Sequence, residues 1–321
     1  MITTTSDPTA VGTEHPLSGI HAATLCPMDS TGNVLVDELA LHISHVATSP
    51  GIRGLLINGH AGEGALLNMN ERQLVLECVK ASAPEGCHVC AGVTGESTAA
   101  AVETAVQAAE NGANSILVFP PNAWALGHDA NMALEHHQAI ANASGLPMVL
   151  YRAPLASAKQ SYSIETLLTL IEIDAVTAIK EGSWEVSAYD EARRAVMFTR
   201  PDVAVLGSGD EHLMTCYSIG SAGSQVSLAA IVPGLIVSLF DSMQAGDLAT
   251  ARELHDLVYP LSEAIYRKVP SYMATARLKS CLNVLGQFSE DVVKAPMLGC
   301  GVDERDALHI LLQRGEYDSY L

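Results

Sequence analysis

Positive charge is scarce in this chain: 17 Lys and Arg stand against 36 Asp and Glu, for a formal net charge of -19. Such a surface repels phosphate backbones and anionic lipid alike, so neither nucleic acid nor a membrane is expected as a partner. The stretch from Met1 to Pro16 has no basic n-region and no apolar h-region, which argues against a secretory signal. Long apolar runs are also missing. The strongest one in the C-terminal half, Ser227 to Phe240, contains Pro233 and Gly234 and is too short to span about 30 Å of hydrocarbon. A cytoplasmic protein is the expectation. The cysteines number seven, an odd count without the spacing of a disulfide scaffold, so reduced thiols are expected. Cys87 and Cys90 form one close pair, but they sit in a strand-like run. Residues three apart on a strand face opposite sides, and no second pair follows at zinc-ribbon spacing. Low-complexity tracts and short solenoid repeats are absent.

What remains is a chain built to fold. Of its 321 residues, 48% are hydrophobic and 17% charged, and the mean hydropathy is +0.22, enough apolar material for a large core. Short β-type runs alternate with helix-length segments. The strand candidates are Gly19 to Leu25, Gly54 to Ile57, His88 to Val93, Ser115 to Phe119, Met148 to Tyr151, Ala175 to Ile179, Val203 to Gly207 and Ser224 to Ser227. Helices are expected over Val34 to Ala47, Glu71 to Ser82, Thr98 to Asn111, Ala130 to Ala143, Ile164 to Ile171, Trp184 to Ala195, Glu211 to Ile219 and Ile231 to Gln244. Asn70, Glu71 and Gln73 resemble a capping box, and Gly112 and Gly145 fall where helices should stop. Parallel strands must be covered on both faces or closed, and eight strand–helix repeats favour a (β/α)8 TIM barrel. Beyond Gly246 the pattern is helical only: Asp247 to Tyr266, Tyr272 to Leu285 and Glu304 to Arg314. The expected organisation is a flexible tail over 1–15, a (β/α)8 catalytic barrel over 16–245 and a C-terminal helical extension over 246–321.

In such a barrel, chemistry gathers where strands end. Lys180 closes the apolar run Ala175-Val176-Thr177-Ala178-Ile179, which puts an amine at an apolar barrel mouth. Only the neutral amine attacks a carbonyl; moving its pKa from about 10.4 to about 7 takes roughly 4 to 5 kcal/mol, which burial can supply. A lysine paired with an acidic neighbour such as Glu181 is the bland alternative. Tyr151 closes the neighbouring run, where its phenol can shuttle a proton or simply fill the barrel. Gly59-His60-Ala61-Gly62 lets the backbone approach a ligand and aim successive N–H groups at a carboxylate, with Glu63 bracing the turn. Arg152 offers a fork for a carboxylate or a hydroxyl-rich tail, and Ser227 at the end of the eighth run completes the candidate substrate contacts. His128, His136 and His137 invite a metal reading, but the adjacent pair lies about 100° apart on a helix, so a surface helix is expected and no metal.

Together these pieces resemble the dihydrodipicolinate synthase / N-acetylneuraminate lyase family of class I aldolases, from about Gly19 to Gly299. The resemblance rests on Ala23-Thr24-Leu25-Cys26-Pro27-Met28-Asp29, the Gly59 to Glu63 loop, Leu150-Tyr151 with Pro154, Ile179-Lys180-Glu181, Ser208-Gly209-Asp210, and Arg277-Leu278-Lys279. It implies a (β/α)8 barrel with a C-terminal helical extension, associated as a homotetramer or homodimer. It implies a cofactor-independent lyase in which Lys180 forms a Schiff base with pyruvate or another 2-oxo acid and Tyr151 shuttles protons. The amides of His60 and Ala61 would hold the carboxylate, and the protonated imine would serve as electron sink for carbon–carbon or carbon–oxygen cleavage.

The departures from the family pattern are specific. His60 and Ala61 stand where the family commonly has Ser or Thr, which removes a hydroxyl from the relay. Pro121-Asn122 replaces the region of the synthases' interfacial tyrosine, and Ala156 falls near the arginine that binds their second substrate. The expectation is therefore an aldolase or dehydratase acting on a 2-oxo acid. The alternatives are a paralogue that binds 2-oxo acids without turnover and, third, 4-hydroxy-tetrahydrodipicolinate synthase itself.

Overall fold

The structure is a computed structural model that describes residues 15–315 and 317–321. All but one residue of the tail expected over 1–15 lies outside the described residues. Eight parallel strands close into a barrel in sequence order. They are β1 (Gly19–Ala23), β2 (Ile52–Ile57), β3 (His88–Val93), β4 (Ser115–Val118), β5 (Met148–Arg152), β6 (Val176–Glu181), β7 (Ala204–Gly207) and β8 (Gly223–Val226). Helices α1 (Val36–Thr48), α2 (Met69–Ser82), α3 (Thr98–Glu110), α4 (Ala130–Ser144), α5 (Ile164–Leu170), α6 (Val186–Thr199), α7 (Leu213–Ser218) and α8 (Pro233–Gln244) follow the strands in turn. Three more, α9 (Leu248–Ser262), α10 (Ala274–Val284) and α11 (Val302–Arg314), form the C-terminal extension. The expected (β/α)8 fold is thus the observed one, and no helix among the described residues is long and apolar enough to cross a membrane.

The two-residue period of the strands sorts their side chains between two cores. Val149, Tyr151, Ala178, Ala204 and Leu206 belong to one buried cluster inside the barrel. Leu150, Val176, Ile179 and Val205 belong to another, between the barrel and its helices. Tyr151 pairs with Lys180 across β5 and β6, and Arg152 pairs with Glu181 one step on. The register therefore turns the first pair inward and the second outward.

Locally the structure departs from the expected elements at several points. The N-cap of α2 is Asn68, whose side chain accepts from the Glu71 amide while Glu71 reaches back to the Asn68 amide, so the capping box starts two residues before Asn70. Helix expected over Glu211 to Ile219 is split into a 3-10 turn, Asp210–His212, and α7. His136 and His137 do not lie on a surface. Both are buried, His136 against the Thr98 hydroxyl at 3.0 Å, and His137 against the Ala133 carbonyl at 2.8 Å and the Tyr162 hydroxyl at 3.2 Å. They share a face with Ala133 and Ile140, which places them in the layer between α4 and its neighbours.

Candidate active site

Lys180 reaches the C-terminal mouth of the barrel from β6. Its Nζ lies 5.9 Å from the centre of the Tyr151 ring. Burial is the main cause that lowers its pKa to about 8, against the raising influence of Asp210. An amine so poised is partly neutral near physiological pH, the form a nucleophile requires. Tyr151 is buried in turn, and burial together with the nearby Glu181 carboxylate holds its phenol well above the usual range. Its hydroxyl is therefore protonated and not a phenolate. Among the described residues its hydroxyl meets no side-chain hydrogen-bond partner.

The loop after β2 wraps the other side of this pair. Asn58 and Glu63 both adopt left-handed backbone, with φ of 51° and 58°. The Asn58 carbonyl is packed so closely that a Cβ on Gly64 would fall 1.9 Å from it and one on Gly92 2.2 Å from it. Those two glycines, more than Gly59, are what let the turn close on itself. Within the turn, Gly64 donates to the Gly59 carbonyl and Glu63 to that of His60. The amides of His60 and Ala61 meet no acceptor among the described residues. The loop is tied down from below: Glu63 is fully buried, forms an ion pair with Lys279 of α10 and accepts the Lys294 amide. Bracing by Glu63 was legible in the sequence; its partner, more than two hundred residues away, was not.

His60 forms a wall of the mouth. Its ring lies 4.3 Å from that of Phe119 and 5.2 Å, edge-on, from that of Tyr151. The ring opens onto the cavity, yet the surrounding protein and the nearby Lys180 ammonium lower its pKa to about 4, so the imidazole is neutral. A cavity of about 480 Å³ extends outward from His60 and Tyr151, bounded by Leu66, Trp184, Tyr266 and Tyr272. It has room for considerably more than a three-carbon acid.

Arg152 is not part of this mouth. As the residue after an inward-facing tyrosine it points outward, and its guanidinium is taken up by Glu181 at 3.0 Å and the carbonyls of Ala188 and Tyr162. The fork foreseen for a substrate carboxylate is occupied by protein. Ser227 lies just past β8, half-buried, in a cluster with Tyr266 and Asp210. Asp210 is buried near Lys180, and burial raises its carboxyl to about 7. Tyr266 and Trp184 escaped the sequence reading, as did Arg267, which pairs with Glu211 and lies 5.2 Å over the Trp184 ring. A lone Trp before a helix and an Arg at a helix end carry no local signal of convergence.

Residues 16–314 match the Dihydrodipicolinate synthetase family. The chain belongs to that family. An uncharacterised DapA-like lyase of Halobacterium salinarum is 30% identical over 301 residues, covering 93% of this chain and 95% of the relative. A 4-hydroxy-tetrahydrodipicolinate synthase of Nitrobacter hamburgensis is 29% identical over 268 residues, with coverage of 83% and 86%. Among solved structures, YagE of Escherichia coli K12, a prophage protein of the dihydrodipicolinic acid synthase family determined in complex with pyruvate, superposes with a TM-score of 0.86. It is 21% identical, and the match covers 94% of this chain and 99% of that one. A monomeric dihydrodipicolinate synthase variant superposes with a TM-score of 0.85 at 20% identity, covering 95% and 98%. As a lyase of this family, the chain carries His60 and Ala61 in the middle of the loop after β2.

Proposed function

We propose that the protein is a class I lyase that binds pyruvate or a related 2-oxo acid as a Schiff base on Lys180 and cleaves or forms a bond next to C2. The observation that carries this reading is the amine of Lys180, lowered to about 8 by burial and set 5.9 Å from the ring of a protonated tyrosine. Attack by neutral Nζ on the ketone gives a carbinolamine; loss of water gives a protonated imine. That cation accepts the electron pair released when a carbon–carbon bond breaks in retro-aldol cleavage. In dehydration it stabilises the carbanion formed before hydroxide leaves. Tyr151 carries the proton to or from the reacting oxygen. The free amides of His60 and Ala61 suit the carboxylate, which is the charge they can stabilise without competition from protein acceptors. We place the protein in the cytoplasm and expect its subunits to associate as a homotetramer or homodimer.

A second reading, binding without turnover, draws on one observation: Tyr151 lacks a hydroxyl partner where the family pattern supplies one. Borohydride reduction in the presence of pyruvate, followed by peptide mass mapping, addresses the shared first step. The expected result is a single adduct on Lys180, lost in Lys180→Ala. Reduction that labels another lysine, or none, removes the Schiff-base assignment. If Lys180 is labelled and a panel of 4-hydroxy- and sugar-derived 2-oxo acids shows no turnover, the binding reading replaces the catalytic one.

A further inference from the structure

The interior of a TM barrel is ordinarily filled with bulky branched side chains. Here one side of it is polar. Gln225 of β8, His21 of β1, Gly54 of β2 and His88 of β3 lie side by side at one level of the sheet, pairing in register. One step higher, Cys90 of β3 pairs with Ser115 of β4. The opposite wall is apolar, with Leu117, Val149, Ala178 and Ala204 in register at the level below Lys180. His21, Cys90, Ser115 and Gln225 are fully buried, whereas His88, the first residue of its strand, is half-buried at the N-terminal end.

These groups are only partly paired. The His88 Nε2 lies 2.8 Å from the Ser115 hydroxyl, and the rings of His21 and His88 meet edge-to-face at 5.7 Å. Both nitrogens of His21 and both polar atoms of Gln225 meet no hydrogen-bonding partner in the protein; the Ser18 backbone is near His21 but outside hydrogen-bond geometry. Four unpaired polar atoms in the centre of a barrel would cost roughly 1–3 kcal/mol each, so each needs a water. The imidazole of His21 is also seated by design of the backbone: a Cβ on Gly54 would come within 2.6 Å of its Nδ1. Burial, His15, His88 and Arg53 all keep His21 neutral, with one donor and one acceptor to satisfy. At the upper end the Cys90 thiol lies beside Ser115 and Gln225, within electrostatic reach of Lys180.

We propose that His21, Gln225, Cys90, Ser115 and His88 bind a chain of ordered waters inside the barrel, and that this chain moves protons to and from Lys180 from below. Imine formation turns an ammonium and a ketone into a protonated imine and water, so two protons leave Nζ in turn and both must reach the departing oxygen. The waters carry each of them by concerted hand-off: a neutral imidazole accepts at one nitrogen and donates from the other, and no group changes its net charge. On the cavity side Tyr151 has no side-chain hydroxyl to relay with, whereas the interior column carries the Ser115 hydroxyl and the His21 and His88 imidazoles. The proposal rests on Lys180 as the Schiff-base residue, and its test separates the two.

The test pairs Ser115→Val with the isosteric Ser115→Thr, and adds Gln225→Met. Each is assayed by time-resolved borohydride trapping with pyruvate between pH 6 and 9, in light and heavy water, alongside thermal unfolding. The expected result is that Ser115→Val and Gln225→Met slow imine formation at least about tenfold. Saturation with pyruvate should stay unchanged, the solvent isotope effect should be altered, and Ser115→Thr should retain the wild-type rate. Equal rates and isotope effects in Val, Thr and wild type overturn the proton route even if unfolding temperatures fall. A crystal structure with a dry barrel interior, His21 bonded directly to Gln225, overturns the water site. Absence of trapping in the wild type instead defeats the Lys180 reading, while the crystal structure still decides the water site.

Discussion

At the scale of single residues, the candidate chemistry depends on an amine that is deprotonated more readily than an exposed lysine. With a pKa of about 8, the neutral fraction of Lys180 grows as pH rises towards that value and levels off above it. The initial rate of imine formation with pyruvate should therefore climb about tenfold per unit well below pH 8 and flatten beyond it; a stopped-flow profile that is flat from pH 6 to 9 would contradict this. Tyr151→Phe should leave pyruvate trapping intact and lower turnover on the order of 100-fold or more, measured as kcat with KM for the 2-oxo acid compared in parallel. Arg152 belongs to the other face. Arg152→Met strands the buried Glu181 carboxylate and should cost about 3–5 kcal/mol in denaturant unfolding. Lys180 and Tyr151 were legible because each terminates an apolar run beside a strand of the same kind. The same period of two that turned them inward sends Arg152 outward, a signal present in the sequence and outweighed there by the appeal of a guanidinium next to a candidate proton shuttle.

At the scale of elements, the loop after β2 is positioned by a helix that arrives late in the chain. Glu63 and Lys279 are completely buried together, so removing one partner leaves an uncompensated charge, whereas removing both does not. Lys279→Met should destabilise the protein by about 3–5 kcal/mol, and Glu63→Gln combined with Lys279→Met should recover a large part of that loss. Urea unfolding of the two single variants and the double variant measures the coupling; strictly additive losses would show that the pair is not the anchor. Strand positions were readable because alternation of short apolar runs with amphipathic segments has one economical solution in space. Helix surfaces were less so. His136 and His137 were expected on a surface helix because an adjacent pair does not converge on one ligand, but they share the α4 face of Ala133 and Ile140, and burial by a neighbouring helix decided their environment.

At the scale of the whole molecule, two 3-10 turns above the barrel, Asn122–Leu126 and Leu155–Gln160, present Leu126 at 94% exposure and Leu155 at 44%. Isolated apolar side chains are ordinary on a surface, but these two project from adjoining turns. If they meet a second copy, Leu126→Glu should shift sedimentation velocity from an oligomer to the 33.8 kDa subunit; a wild-type chain that already sediments as a monomer would end that expectation. The amino-acid sequence alone determined the barrel, its order of strands, and Tyr151 and Lys180 one residue before the ends of β5 and β6, since each follows from hydrophobic period and local turn chemistry. Only the tertiary structure decided which side chains converge. Glu63 on Lys279, Asp210 near Tyr266, Trp184 under Arg267, and the unpaired His21 and Gln225 inside the barrel all join segments far apart in the chain. Their meeting depends on barrel closure and strand register, which no local pattern encodes.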